Sequence, residues 1–278
     1  IFKMNLSSMY KHLQTAGVVA VLALGFSSHA SAVAVFTVDP NGAFGATGGS
    51  HPGPFQANFL TGNSSSLVTL NDGHQTAAGS GWVNFSAFVN DGSNVLGSVS
   101  GLNNNWQMWA EFSYTLQLTS GTYAAANSTY NVTGLHVNFW VDPSIATATS
   151  FTQATTGGAA AIVTHGTDSF QFANADLLVG VANINSLGGT GFNSTNTFAL
   201  LNPQGTSLFT APVPFYNFQY DEFNNTSQGV TVVPDQFITI NQTTGGVDFN
   251  RVPEPATLAL LGIGMLGIIG ASARRRKA

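Results

Sequence analysis

The sequence predicts an all-β protein whose main body is a single antiparallel domain at residues 33–250. Short runs rich in Val, Ile, Phe, Tyr and Thr recur along this segment, and each is bounded by Gly, Asn, Asp or Pro. No stretch between them shows sustained helical periodicity with capping residues. We therefore expect a β-sandwich of the jelly-roll kind, in which two antiparallel sheets pack face to face.

Turn signals separate the expected strands. Asn-Asp-Gly at residues 71–73 and 90–92 is a tight-turn sequence, and Asp-Pro at residues 39–40 and 142–143 ends a strand. The expected strands are SLVTL, GWVNFSAFV, MWAEFSYTLQL, LHVNFWV, DLLVGVANI, TFALL, FYNFQY and QFITI.

Two of these strands are expected to form a hairpin with a defined register, because apolar and polar residues alternate in both. The expected cross-strand pairs are Phe112 with Val137, Ala110 with Phe139, Trp109 with Trp140, and Glu111 with Asn138. This register buries Phe112 and Val137 and leaves Glu111 exposed to solvent. Trp109 and Trp140 then lie together on the polar face, where they can stack on sugar rings or, more commonly, cover the sheet beneath a loop.

Charge is distributed unevenly along the chain. All seven Lys and Arg residues lie outside residues 33–250, whereas eleven Asp and Glu residues lie inside, which gives the domain a net charge of −11 with His neutral. Nucleic-acid binding is excluded because the domain lacks a basic footprint. The absence of cysteine excludes disulfides and thiolate chemistry. A surface of Asn, Ser, Thr, Gln and Gly suits contact with polysaccharide.

No catalytic or metal-binding pattern emerges from the sequence. His51, His74, His136 and His165 have no metal-ligand spacing, and no nucleophile elbow or phosphate loop is present. Nothing selects a catalytic pair among the acids, since neighbours such as those at residues 221–222 face opposite ways on a strand. We expect no enzyme activity and no cofactor. Loosely bound calcium that bridges surface carboxylates is favoured over a dedicated calcium site.

Residues 1–32 have the layout of a secretory signal peptide. Two lysines occur in the first eleven residues, an apolar core follows at residues 17–26, and Ala-Ser-Ala at residues 30–32 is a small-residue cleavage site. We expect the secretion machinery to export the chain and signal peptidase to remove this segment.

Residues 251–278 join three unlike pieces. The first is the extended strip Pro253, Glu254 and Pro255, and the second is an uncharged run at residues 256–273 that, as a helix, would reach about 27 Å and span a bilayer. The third is the basic stop formed by Arg274, Arg275, Arg276 and Lys277. By the positive-inside rule the basic block stays cytoplasmic, so the β domain lies across the membrane.

This arrangement resembles the PEP-CTERM sorting signal of Gram-negative bacteria. The resemblance implies that exosortase, a transpeptidase-like membrane enzyme, recognises Pro253, Glu254 and Pro255 and removes the helix. It also implies a transient inner-membrane anchor and delivery to the cell surface or the exopolysaccharide matrix. An ordinary tail anchor that is never cut is the alternative.

Two further segments, FTVDPNGAF at residues 36–44 and FTAPVPFYNFQY at residues 209–220, resemble the flocculation-associated subgroup of PEP-CTERM proteins. The resemblance implies a non-enzymatic matrix protein that promotes cohesion between cells and exopolysaccharide, as in flocs and biofilms. A lectin-like carbohydrate- or calcium-binding module, with Trp109 and Trp140 as contacts, is the alternative. An enzyme acting on polysaccharide is the third interpretation.

Overall fold

The computed structural model describes residues 34–250, apart from residues 72, 74, 148, 202 and 224–227. Strands account for most of this part of the chain, which confirms the all-β prediction. The strands are β1 (Phe36–Val38), β2 (Phe55–Ala57), β3 (Phe59–Leu70), β4 (Thr76–Asn90), β5 (Ser93–Asn94), β6 (Gln107–Ser120), β7 (Ser128–Asp142), β8 (Ser150–Thr152), β9 (Ile162–Thr164), β10 (Phe170–Ile184), β11 (Thr190–Asn196), β12 (Ala199–Leu200), β13 (Phe209–Ala211), β14 (Asn217–Phe223), β15 (Val230–Val233) and β16 (Phe237–Asn250). Short helices interrupt them, namely α1 (Pro40–Phe44), α2 (Gly97–Ser100), α3 (Gln204–Leu208) and a 3₁₀ turn at Ile145–Thr147.

The expected signal peptide at residues 1–32 and the expected membrane helix at residues 256–273 lie outside the described residues. Both stay predictions. Within the described part of the chain, no helix combines the length and the apolar character that a membrane crossing requires.

Eight strands form one antiparallel sheet that closes on itself. Around the sheet they run β11, β14, β16, β3, β4, β6, β7 and β10, and β10 pairs again with β11. The prediction of two packed sheets is therefore wrong, and the architecture is a closed, barrel-like sheet. Period-two alternation does not separate the two architectures, because each buries one face of every strand.

Bulges and glycines allow these strands to bend around the closed sheet. The register of β3 against β4 shifts between Thr61 and Gly62, and a similar shift occurs between β16 and β3. At Gly81 in β4, an added Cβ would lie 2.1 Å from the carbonyl oxygen of Ser65 in β3. Only glycine tolerates an approach this close, so the close pairing of β3 with β4 depends on it.

The predicted hairpin is confirmed residue by residue. β6 and β7 pair with Phe112 opposite Val137, Ala110 opposite Phe139, Trp109 opposite Trp140, and Glu111 opposite Asn138. Phe112 and Val137 are both buried inside the closed sheet. Together with Phe139, Phe218 and Val247 they enclose a void of only about 10 Å³, which leaves room for at most one water molecule.

Aromatic rings fill one end of the closed sheet, which we call the closed end. There β1, β2 and β13 form a small three-stranded sheet, and Phe36 of β1 packs against Phe249 of β16 with ring centroids 4.9 Å apart. Phe88 and Phe209 also contact Phe36. The opposite end, where Leu70, Leu116, Ile184 and Ile238 lie, is called the open end.

Both Asp-Pro pairs end a strand, as predicted, since Asp39 directly follows β1 and Asp142 is the last residue of β7. The Asp39 carboxylate accepts a hydrogen bond from the Gly42 N–H at 2.9 Å and caps α1. Asp142 is fully buried and accepts hydrogen bonds from the Ser144 N–H at 3.0 Å and from the Thr149 hydroxyl at 3.2 Å. Each carboxylate therefore has a structural role in ending its strand.

Candidate functional site

The predicted sorting residues Pro253, Glu254 and Pro255 and the basic stop at residues 274–277 lie outside the described residues. The described chain ends with β16 at Asn250, so the sorting segment starts immediately after the last strand of the closed sheet. The function of this segment therefore rests on its sequence. Two other candidate sites lie among the described residues.

The first of these is the pair Trp109 and Trp140 on the outer face of the sheet. Their rings stack with centroids 6.4 Å apart and planes within 8° of each other. The segment between β7 and β10 covers them, with Phe151 6.0 Å from the ring of Trp109 and His165 4.5 Å from that of Trp140. Trp109 keeps 0% exposure. The rings thus cover the sheet beneath a loop, and sugar stacking stays a prediction that requires this segment to move away.

Glu111 lies under the same covering segment. His165 Nε2 is 2.6 Å from Glu111 Oε1, and the Trp109 indole N–H donates to that oxygen at 3.2 Å. The Glu111 side chain is 34% exposed. The expectation of a solvent-exposed carboxylate is therefore met only in part, because residues distant in sequence fold over this part of β6.

Polar side chains continue from Trp140 along the outer faces of β7 and β10. The Asn138 side-chain oxygen accepts a hydrogen bond from Gln171 Nε2 at 2.7 Å, and it lies 3.1 Å from His136 Nε2. His136 Nδ1 lies 2.7 Å from Asp176 Oδ1, and these two side chains are 49% and 66% exposed. A partly exposed indole beside amide, imidazole and carboxylate groups has the chemistry that a sugar ring can contact.

The second site is a buried carboxylate inside the closed sheet. Glu222 is 8% exposed. The hydroxyls of Ser64 and Thr243 donate to its Oε1, and the Tyr220 hydroxyl donates to its Oε2 at 3.0 Å. Residues 33–250 contain neither Lys nor Arg, so no such cation can pair with this carboxylate within the domain. It is hydrogen-bonded by hydroxyl groups instead.

Two tyrosines share the buried layer with Glu222. Burial raises the pKa of Tyr220 well above its ordinary value, and the charge of Glu222 raises it further. Burial also raises the pKa of Tyr114, the charge of Glu222 adds to this, and a hydrogen bond with Ser66 opposes it. Both phenols therefore remain protonated at physiological pH.

A cavity of about 50 Å³ lies between this polar layer and the open end. Most of its walls are apolar, with Val68, Leu116 and Ile184 among them, and its polar lining residues are Tyr114, Tyr123, Tyr130, Asn183, Thr190 and Glu222. Tyr123, Phe192 and Ile240, which also line the cavity, are only partly buried. The cavity can therefore hold a few water molecules or part of a small ligand.

The sequence of β14 contains a signal for the position of this carboxylate. In β14, Phe218, Tyr220 and Glu222 alternate with Gln219 and Asp221. Period-two geometry places the first three on one face, and the aromatic residues identify that face as the buried one. The prediction that the acids at 221 and 222 face opposite ways, taken together with the aromatic residues of β14, therefore places Glu222 inside the closed sheet.

Asp221 and Asp248 lie on the opposite, outer face. Asp221 accepts a hydrogen bond from Gln219 Nε2 at 3.3 Å, whereas Asp248 Oδ1 has no hydrogen-bond partner among the described residues. Desolvation raises the pKa of both carboxyls, and the charge of Asp221 further raises that of Asp248. Within the described part of the chain, no group of three or more His, Asp or Glu residues is arranged to hold a metal ion.

Replacing Asp248 by asparagine is expected to increase the free energy of unfolding at neutral pH, by less than about 1 kcal/mol because solvent screens the group. A raised pKa means that the folded carboxyl binds its proton more tightly than the unfolded one. The carboxyl group of Asp248 therefore stabilises the folded protein below about pH 4, which is the pKa of Asp in an unfolded chain. This stabilisation is lost as the pH rises through the higher pKa of the folded protein.

The advantage of Asp248→Asn should accordingly shrink on acidification, which urea unfolding at a series of pH values will measure. Asp235→Asn, in the exposed turn between β15 and β16, is the control for the loss of a carboxylate from the surface. An advantage that grows as the pH falls contradicts the assignment.

Comparison with known proteins identifies the C-terminal segment. Residues 251–277 match the family model of the PEP-CTERM protein-sorting motif, which confirms the sequence prediction. The motif indicates an exported, membrane-transiting protein of a Gram-negative bacterium that exosortase recognises. No curated protein and no solved structure matches the chain. The resemblance to the flocculation-associated subgroup stays a prediction.

Proposed function

We propose that this exported chain, which carries the PEP-CTERM sorting motif, is a non-enzymatic protein of the cell surface or extracellular matrix that promotes cohesion between cells and exopolysaccharide. The observation that supports this most is the outer surface of the domain. Exposed positions on β6 and β7 include Ser113, Thr115, Asn131 and Thr133, and the two threonine hydroxyls lie 2.8 Å apart. Rows of hydroxyl and amide groups can hydrogen-bond neutral sugars.

Charge limits how this surface binds acidic polysaccharide. With a net charge of −11 and no Lys or Arg, residues 33–250 cannot pair directly with an anionic polymer and should repel it. Cohesion with an acidic polymer then requires divalent cations shared between carboxylates on both partners, and calcium is suited to such oxygen ligands.

Deleting the gene is expected to disperse cell aggregates without abolishing polysaccharide secretion. The full chain should restore aggregation, whereas a chain ending at Pro255 should restore it poorly if delivery by the sorting segment matters. Calcium chelation should weaken aggregation in cells that retain the protein. Sedimentation of cells and the quantity of secreted polysaccharide measure these outcomes.

Glu254→Ala separates sorting from cohesion in the same strain. It should slow removal of residues 256–278, as mass spectrometry of the C-terminus will show, while leaving the β domain folded. If the unmodified chain retains Ala278 in cells that carry exosortase, the sorting step is contradicted. A deletion strain that aggregates like its parent, with unchanged sensitivity to chelation, contradicts cohesion alone.

A lectin-like module is the second candidate, and the polar side chains beside Trp140 favour it. Asn138, Gln171 and His136 present hydrogen-bonding groups next to a partly exposed indole. A glycan array distinguishes the two candidates, because a lectin binds selected glycans and a cohesion protein binds many glycans weakly. Selective binding that Trp140→Ala abolishes would place the lectin function first.

A further inference from the structure

We infer that the cavity at the open end binds a small organic cation, with its protonated amine at Glu222 and a short aliphatic body against the apolar walls. Such a ligand site is independent of the proposed cohesion function. It lies inside the closed sheet, whereas cohesion involves the outer surface.

The hydrogen bonds of Glu222 leave room for one further donor. The carboxylate is buried and the domain contains no Lys or Arg to neutralise it. It accepts three hydrogen bonds, from Ser64, Thr243 and Tyr220. A carboxylate has about four lone-pair sites, so one acceptor position remains for a donor from outside the protein. A charged donor forms a stronger hydrogen bond there than a neutral one.

The surrounding residues hold this carboxylate in place. Tyr114 lines the cavity together with Glu222. A Cβ on Gly79 would lie 2.4 Å from the ring of Tyr114, so glycine at that position makes room for this phenol. The interior beyond Tyr220 on the closed-end side contains a void of only about 10 Å³. Glu222 therefore cannot withdraw from the cavity into the packed core.

The composition and size of the cavity suit a short alkylammonium ion. Its volume of about 50 Å³ matches a few water molecules and hence a chain of a few carbon atoms. Glu222 is the one charged residue in the lining among the described residues, the other polar members are tyrosines, Asn183 and Thr190, and the remaining walls are hydrocarbon. Ile240 and Phe192 are partly buried, which leaves an exit for a longer tail.

The same geometry disfavours a divalent metal as the occupant. Calcium takes six to eight oxygen ligands and magnesium about six, usually with several carboxylates or waters. Glu222 is the one carboxylate that lines this cavity among the described residues, and its oxygens already receive hydroxyl protons. An ammonium group needs only hydrogen-bond acceptors, and its alkyl body fits the apolar walls.

The test is calorimetric titration of the full-length protein with n-butylammonium, and with n-butanol as the neutral probe of similar size. We expect saturable binding of n-butylammonium and weaker binding of n-butanol. Glu222→Gln should weaken n-butylammonium binding by roughly thirty-fold or more, because an ammonium then lacks its charged partner. Asp221→Asn, next to it but on the outer face, is the matched control and should bind like the unmodified chain.

A second variant leaves the carboxylate unchanged. Ala182→Leu should fill the cavity from β10 and abolish binding, while near-ultraviolet circular dichroism reports whether each variant is folded. If Glu222→Gln does not fold, loss of binding in folded Ala182→Leu supports the inference and retention contradicts it. Equal affinity for both probes, or no saturable binding to the unmodified chain, overturns it.

Discussion

Replacing Phe112 by alanine is expected to lower the free energy of unfolding by about 3–5 kcal/mol, the usual range for a large truncation in a packed core. Phe112 is buried opposite Val137, and its ring lies 5.8 Å from that of Tyr114 and 6.2 Å from that of Tyr220. The void that Phe112 helps to enclose is only about 10 Å³, so the missing ring enlarges it into a cavity that is almost entirely new. Urea unfolding followed by tryptophan fluorescence measures the change.

Glu111→Ala is the comparison for this substitution, since Glu111 precedes Phe112 and faces outward. The substitution removes the carboxylate, whose Oε1 interacts with His165 and Trp109. We expect it to lower the free energy of unfolding by about 1–2 kcal/mol. Equal and small effects of both substitutions would contradict the observed packing of β6.

Gly81→Ala is expected to destabilise the protein by about 3 kcal/mol or to prevent folding. Overpacking in a well-packed interior typically destabilises by 1–3 kcal/mol, and here the new methyl group meets backbone rather than a movable side chain. The Cβ would lie 2.1 Å from the Ser65 carbonyl oxygen and 2.8 Å from the Ser66 Cα. Relief requires β3 and β4 to separate, which breaks the closed sheet. Thermal unfolding by circular dichroism is the measurement.

Gly53→Ala provides the matched control for Gly81→Ala. A Cβ on Gly53 meets no atom within 4 Å, and its backbone is outside the left-handed region. The same chemical change should therefore be neutral, or stabilise the protein by about 0.4–1 kcal/mol through the unfolded chain. A neutral result at both positions would mean that the contact of β3 with β4 is looser than described.

Strand positions and the β6–β7 register were predictable because local alternation and cross-strand pairing determine them. Phe112 and Val137 each stand in an alternating run, and only one pairing buries both. The closure of the sheet was not predictable in the same way. It depends on β11 pairing with both β10 and β14, and such long-range pairing has no counterpart in the alternation of any single strand.

In the candidate sites, too, alternation within a strand was predictable, whereas contacts between segments distant in sequence were not. Trp109 and Trp140 were correctly paired, but the segment carrying Phe151 and His165 that covers them has no pattern indicating where it packs. Glu222, in contrast, could have been assigned to the interior from the residues around it in β14. What alternation cannot show is that hydroxyls from β3 and β16 meet this carboxylate.

The contact between Phe36 and Phe249 places both ends of the described chain at the same pole of the molecule. β16 runs from Phe237 at the open end to Asn250 at the closed end, and the sorting segment follows directly. The membrane anchor that the sequence predicts would therefore leave the domain at the end opposite the mouth of the cavity. Solutes would then reach that mouth both before and after cleavage of the anchor, so we expect occupancy of the cavity not to depend on processing.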